Sequence, residues 1–256
     1  MYPFVHFPGR DIPTYGLCMA IGFILSLLWA LWRAKRAGKS CDPLLVLVGM
    51  ALLGAILGAK LFYLLFSMSW EELWGSLTAG DFSVLLNSGQ VFYGGLIGGV
   101  SFAFLGQKLA RTKISEYINV AVPCIPLGHA IGRIGCLMAG CCHGAPYDGP
   151  LAVEQYFAGQ PGMTFFPIQL VEACCLLIIC VVLTILSRRV KGNYTLLRAY
   201  LAMYAVVRFS LEYGRGDSIR GIFSGVSTSQ WISIGLLAMC LLWIAAERLQ
   251  KKKSAG

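Results

Sequence analysis

Apolar residues gather into seven runs along the chain: 15–32, 44–66, 91–106, 117–142, 168–186, 195–213 and 230–246. A helix of ~20 residues crosses a hydrocarbon layer ~30 Å thick, and each run approaches that length. The pattern predicts an all-α integral membrane protein with about seven transmembrane helices. Run 91–106 is short and rich in glycine, and run 117–142 is interrupted by Pro123, Pro126 and a glycine cluster. Both leave room for a broken or re-entrant arrangement. No internal repeat of the kind carried by secondary transporters is evident, and residues 1–256 read as a single polytopic domain.

The polar stretches between the runs set an orientation. Arg33, Lys35, Arg36 and Lys39 follow the first run, and Lys108, Arg111 and Lys113 follow the third. Arg188, Arg189, Lys191 and Arg198 come after the fifth, and Arg248, Lys251, Lys252 and Lys253 after the seventh. The alternate loops, 67–90 and 143–167, hold Glu71, Glu72, Asp81, Asp148 and Glu154 but neither lysine nor arginine. Because basic loops stay in the cytoplasm, the N-terminus is expected outside and the C-terminus inside. The chain begins without a basic stretch ahead of an apolar one, so the first helix is expected to remain in the membrane.

Composition agrees with this reading: 57% of residues are hydrophobic and 13% charged. The net charge of +9 sits in the loops just named. It therefore points to membrane lipids at the cytoplasmic face and not to nucleic acid. Of ten cysteines, Cys18, Cys174, Cys175, Cys180 and Cys240 lie within apolar runs, where cysteine behaves as a small hydrophobe. No disulfide framework is expected.

Candidate chemistry lies in three basic residues within the apolar runs, beyond the loop cations already named: Lys60, Arg133 and Arg208. A charge at bilayer depth is costly and faces a partner or a cavity. Arg133 and Arg208 fall toward the outer half of their helices, and Glu212 shares a helix face with Arg208. One reading is an intramembrane salt bridge that only orients helices. The other is an anion cradle, because guanidinium presents a planar fork of donors to phosphate and keeps its charge. The phosphate available at that depth is a phospholipid headgroup. His129 lies four residues before Arg133, on the same face of a helix. Tyr15 and Tyr93 suit an interfacial belt as well as a site. Cys136, Cys141, Cys142 and His143 match no standard zinc spacing, and adjacent cysteines fit a tetrahedral site poorly. No metal is expected.

Taken in order, these pieces resemble the bacterial phosphatidylglycerol–prolipoprotein diacylglyceryl transferase family over nearly the whole chain. The resemblance runs through Tyr15-Gly16-Leu17, Gly58-Ala59-Lys60-Leu61-Phe62-Tyr63 and Gly94-Gly95-Leu96-Ile97-Gly98. It continues through Gly132-Arg133-Ile134-Gly135 with Gly144, Pro167-Ile168-Gln169-Leu170-Val171-Glu172, and Tyr204, Arg208, Phe209, Glu212, Arg215 and Asp217. It implies transfer of the diacylglyceryl group of phosphatidylglycerol to the thiol of a lipobox cysteine in a prolipoprotein, at the bacterial cytoplasmic membrane, with glycerol phosphate leaving. No cofactor is implied. Arg133 and Arg208 match the family's essential arginines. Tyr15, Lys60, Gly94, Gly95, Gln169, Tyr204, Glu212 and Arg215 match substrate-binding positions.

The chain departs from the family at two places. Tyr93 stands where the family usually has histidine, and Cys136, Ala139 and Cys141 stand where it usually has asparagine and glutamate. Tyrosine, with an ordinary pKa near ~10, is a poor base at neutral pH. His129 or His143 is then the candidate to take the thiol proton, with Tyr93 as a hydrogen-bond donor. These departures keep other readings open: a paralogous phospholipid-headgroup transferase with a different acceptor, a non-enzymatic lipid carrier, or a thiol-redox protein using Cys136, Cys141 and Cys142.

Overall fold

The computed structural model describes residues 2–8, 10–80, 89, 91–155, 162–190, 192–216, 222–223 and 225–254. Asp217, one of the motif residues, lies outside them. The chain forms two compact units, one of residues 1–30 with 118–256 and the other of residues 31–117. Helices dominate both. Five are long and apolar enough to cross a membrane among the described residues: Thr14–Arg36, Cys41–Phe66, Ile114–Ala139, Ile168–Leu186 and Thr228–Gln250. The third and sixth apolar runs form shorter helices of 18 and 17 residues, Phe92–Leu109 and Thr195–Leu211.

The larger unit begins with an antiparallel hairpin, β1 (Phe4–Phe7) on β2 (Arg10–Pro13). Thr14 closes the hairpin onto α1 (Thr14–Arg36): its backbone N–H reaches the Pro3 carbonyl at 2.9 Å, and its hydroxyl donates to the Tyr2 carbonyl. The helical stretch Ile114–Ala139 keeps its course through the two prolines by tightening at Val122–Cys124 into a 3₁₀ turn. Pro123 there has no N–H to give, and a tight turn needs none from it. We denote the parts α5 (Ile114–Ala121) and α6 (Ile125–Ala139). The helical stretch thus passes both prolines and, at 26 residues, is long and apolar enough to cross a membrane.

Glycines let α1 lie directly on α6. A side chain at Gly22 would strike the backbone of Gly128, one at Gly132 would press on the Met19 sulfur, and one at Gly135 would strike Cys18. Small residues at such spacing let helix backbones approach where lipid offers no hydrophobic drive. On its other side α6 packs against α7 (Ile168–Leu186), which packs in turn on α8 (Thr195–Leu211), and α8 on α9 (Thr228–Ser254). Val122, Ile179, Leu183, Leu196 and Tyr200 form one buried cluster, and Ala130, Ala173 and Leu176 a second. Large apolar side chains such as Ile178, Val181, Leu241 and Leu242 remain exposed, as befits a surface solvated by acyl chains. Between α6 and α7 in sequence, β3 (Val153–Gln155) and β4 (Met163–Phe165) form a small antiparallel pair.

The smaller unit is built on α2 (Cys41–Phe66) against α4 (Phe92–Leu109), with the short α3 (Trp70–Ala79) between them in sequence. The α2–α4 contact is a glycine seam. Gly54 meets the Gly98 carbonyl and Gly58 the Gly94 carbonyl, so the helices run antiparallel. Phe102 closes over Gly54 and Phe62 over Gly94. The glycine-rich third run therefore does packing work at Gly94 and Gly98. Replacing Gly98 with leucine should lower the stability of the protein by more than the ~1–3 kcal/mol of ordinary overpacking, because the obstacle is backbone. Thermal unfolding in detergent, compared with Ser101→Leu on the same helix as control, measures this.

Candidate active site

Glu172 organises the polar cluster of the larger unit. It sits in the second turn of α7, in a helix with no other charged residue, and its side chain is 1% exposed. One carboxylate oxygen, Oε1, lies 3.0 Å from Arg133 Nη2 and accepts a hydrogen bond from the Tyr204 hydroxyl at 3.3 Å. The other, Oε2, lies 3.9 Å from Arg215 Nη1. Three elements thus converge on one buried carboxylate: α6 supplies Arg133, α8 supplies Tyr204, and the turn after α8 supplies Arg215.

Local geometry explains why they converge. Glycines at 128, 132 and 135 press one face of α6 on α1, and Ala130 on another face packs with Ala173 and Leu176 of α7. Arg133 follows Ala130 by three residues and so lies on the α7 side, level with Glu172, one residue before Ala173. Helix α8 ends in a 3₁₀ turn, Glu212–Gly214, after which Arg215 is extended and pairs with Gly144 as an isolated bridge. The Ala145 N–H reaches the Gly214 carbonyl at 3.0 Å, and the Gly144 N–H reaches Phe166 at 3.2 Å. Gly144 has no room for a side chain between Phe166 and Gly214. This small backbone weave fixes Arg215, whose side chain is 2% exposed.

Arg208 and Glu212 pair within the same unit, Nη1 to Oε2 at 2.9 Å, as their four-residue spacing implies. Tyr204 precedes Arg208 by one helical turn, so one face of α8 carries the Glu172 contact and then the second ion pair. Arg208 Nη2 also donates to the Ser229 hydroxyl at 2.9 Å, which ties it to the first turn of α9. Among the described residues the cluster holds three guanidiniums, Arg133, Arg208 and Arg215, against two carboxylates, Glu172 and Glu212, leaving one net positive charge. Arg133 Nε is buried and makes no hydrogen bond among the described residues.

The remaining sequence candidates fall into two groups. Beside the cluster, the His129 ring lies 5.1 Å from the Tyr204 ring, one turn before Arg133. Gln169 is buried one turn before Glu172, and its Nε2 donates to the Cys141 carbonyl at 2.8 Å. Tyr15, half-exposed at the start of α1, lies against Gly135 of α6. His143 is occupied elsewhere, with Nδ1 3.0 Å from the Gly144 carbonyl and its ring 4.4 Å from that of Phe165. The second group belongs to the smaller unit. Lys60 is half-buried on α2, Tyr93 is exposed at the start of α4, and Gly94 and Gly95 face α2 across the seam.

Sequence reasoning gave Glu172 no role of its own, although it quoted the residue within a motif. Its signal was a lone carboxylate inside an apolar run, three residues after Gln169 and hence on the same helix face. Ser229 carried no comparable signal.

Glu172→Gln should destabilise the protein by ~3–5 kcal/mol, since it leaves buried guanidiniums uncompensated. Tyr204→Phe, which removes one neutral donor, should cost only ~1 kcal/mol. Denaturation midpoints of the two variants in the same detergent give the comparison.

The sequence is similar along almost all of its length to proteins of one kind. Residues 3–246 match the family described as prolipoprotein diacylglyceryl transferase. A phosphatidylglycerol–prolipoprotein diacylglyceryl transferase of Clostridium tetani is 28% identical over 248 residues, covering 95% of this chain and 96% of that one. Transferase 2 of Clostridium perfringens is 29% identical over 252 residues, with 97% and 96% covered. The Dehalococcoides mccartyi transferase is 28% identical over 251 residues, with 94% and 92% covered.

Proposed function

Because the chain belongs to the prolipoprotein diacylglyceryl transferase family, we infer that it moves the diacylglyceryl group of phosphatidylglycerol onto the thiol of a lipobox cysteine in a prolipoprotein. A carbon–sulfur bond forms as the bond between the glycerol carbon and the phosphate oxygen breaks. Glycerol phosphate leaves with that bond's electrons, and the thiol proton passes to a base. The similarity to transferases named for both substrates supports the reaction.

One observation carries the reading to this chain's own residues: among the described residues, the buried cluster of three guanidiniums and two carboxylates has one positive charge to spare. A phosphodiester carries one negative charge, so the cluster plus the lipid head is neutral. Arg133 offers the unspent Nε donor, and Arg208 is held by Ser229 and Glu212 without reorganising. Fixed donors aimed at charge that grows on the departing phosphate lower the barrier more than mobile ones. Glu172 and Glu212 keep the arginines in place. Arg215 and Tyr204 complete the cradle. Tyr15 and Gln169 line its approach, and His129 takes the thiol proton.

Tyr93, Lys60, Gly94 and Gly95 are assigned to the reaction on the family resemblance alone. We further read the chain as one polytopic domain of about seven crossings, N-terminus outside, in the bacterial inner membrane, with lipids and no nucleic acid as partners. The alternation of basic and acidic loops supports the orientation, and a match running from residue 3 to 246 supports a single domain.

The direct test incubates the purified protein in detergent with phosphatidylglycerol and a lipobox peptide. Thioether product and glycerol phosphate should appear together; the absence of both would overturn the assignment. Arg133→Ala and Arg208→Ala should each lower turnover by ~10²–10³-fold, and Arg133→Lys should recover little because the planar fork is lost. Tyr93→His should raise turnover near neutral pH, as read by complementation of a strain depleted of its own transferase.

A further inference from the structure

Three thiols that the reaction above does not use come together at the end of α6. The Sγ atoms of Cys136, Cys141 and Cys142 all lie within 4.8 Å of one another. Cys136 is buried, Cys142 half-buried and Cys141 exposed, and all three are free thiols. The spacing of a cysteine followed by an adjacent pair suggests no such site, since neighbouring side chains ordinarily point apart. Two features of the backbone bring them to one side. Gly140 ends α6 in the left-handed region at φ 75°, with its N–H and that of Cys141 turned back to Leu137 and Cys136. Cys142 then adopts φ 59°, unfavourable for a residue with a side chain. Such strain persists only where the surroundings enforce it, and its effect here is to return the Cys142 thiol over the last helical turn.

We propose that Cys136, Cys141 and Cys142 form a three-thiolate site for a thiophilic d¹⁰ cation of the Zn²⁺ class, with the fourth position open to water. Metal–sulfur bonds of ~2.3 Å place three sulfurs of a tetrahedron ~3.8 Å apart, within reach of small side-chain rotations from the spacing seen. Soft thiolates select such ions over Mg²⁺ or Ca²⁺. Binding releases three thiol protons to solvent, and the resulting complex carries one negative charge. Cationic surroundings suit that charge, because the Arg215 and Arg133 guanidiniums lie near the Cys142 sulfur. The cation pins a turn that matters to the cluster described above. Cys141 supplies the carbonyl that holds Gln169, and Gly144, two residues beyond Cys142, bridges to Arg215.

The test uses the full-length protein in detergent with a phosphine reductant, titrated with Zn²⁺ and separately with Cd²⁺. One ion should bind per chain, Cd²⁺ should produce an ultraviolet sulfur-to-metal charge-transfer band, and Cd²⁺, the softer ion, should displace bound Zn²⁺. The variant with all three cysteines changed to serine should lose the band. Cys141→Ser alone, at the exposed position and safe for folding, should weaken binding at least tenfold. Cys174→Ser, on α7, should change nothing. The proposal fails if the reduced protein takes up no more metal than the triple variant. It fails equally if the band survives Cys141→Ser at full strength, or if two of the three thiols form a disulfide that persists under the reductant and excludes metal.

Discussion

A carboxylate buried among apolar residues must find positive charge, and Glu172 finds two guanidiniums and a phenol. Much of the larger unit follows from satisfying it. Helix α6 presents Arg133 to it, which requires that the opposite side of α6 close on α1 through bare glycine backbone. The turn after α8 presents Arg215, which requires the weave of Gly144, Phe166 and Gly214 to hold that turn. Helix α8 must be in register for Tyr204 to reach it. A charge that cannot be left alone in hydrocarbon thus works as a register mark for three elements.

The same arrangement separates holding a ligand from holding the holder. Glu172 and Glu212 pair with the arginines, so those side chains are oriented before any ligand is present. Positive charge exceeds negative by one, and the surplus is delocalised over three side chains with modest remaining exposure. Without its carboxylates the cluster would hold three guanidiniums that repel one another.

How much of this was visible in the residues differs from element to element. The spans at 44–66 and 168–186 were plain, because uninterrupted apolar length has one physical meaning. The pairing of Arg208 with Glu212 was visible too, since both lie on one helix and the spacing decides it. The convergence on Glu172 was not, because Arg133, Tyr204 and Arg215 reach it from three separate elements, and linear spacing says nothing about contacts between helices. Gly94 was read as a substrate-binding position through the family resemblance; the structure shows it and Gly98 closing on α2. The thiol cluster was hidden by a left-handed turn. No pattern of residue types announces that Cys142 will adopt positive φ.

Ser229 adds a consequence for the end of the chain. It stands in the opening turn of α9, and its hydroxyl receives Arg208. The last helix, whose far end carries the basic residues of 248–253, therefore starts from a hydroxyl that Arg208 also uses. Fraying of that opening turn would withdraw one acceptor from the guanidinium and leave its ion pair with Glu212, four residues on, intact.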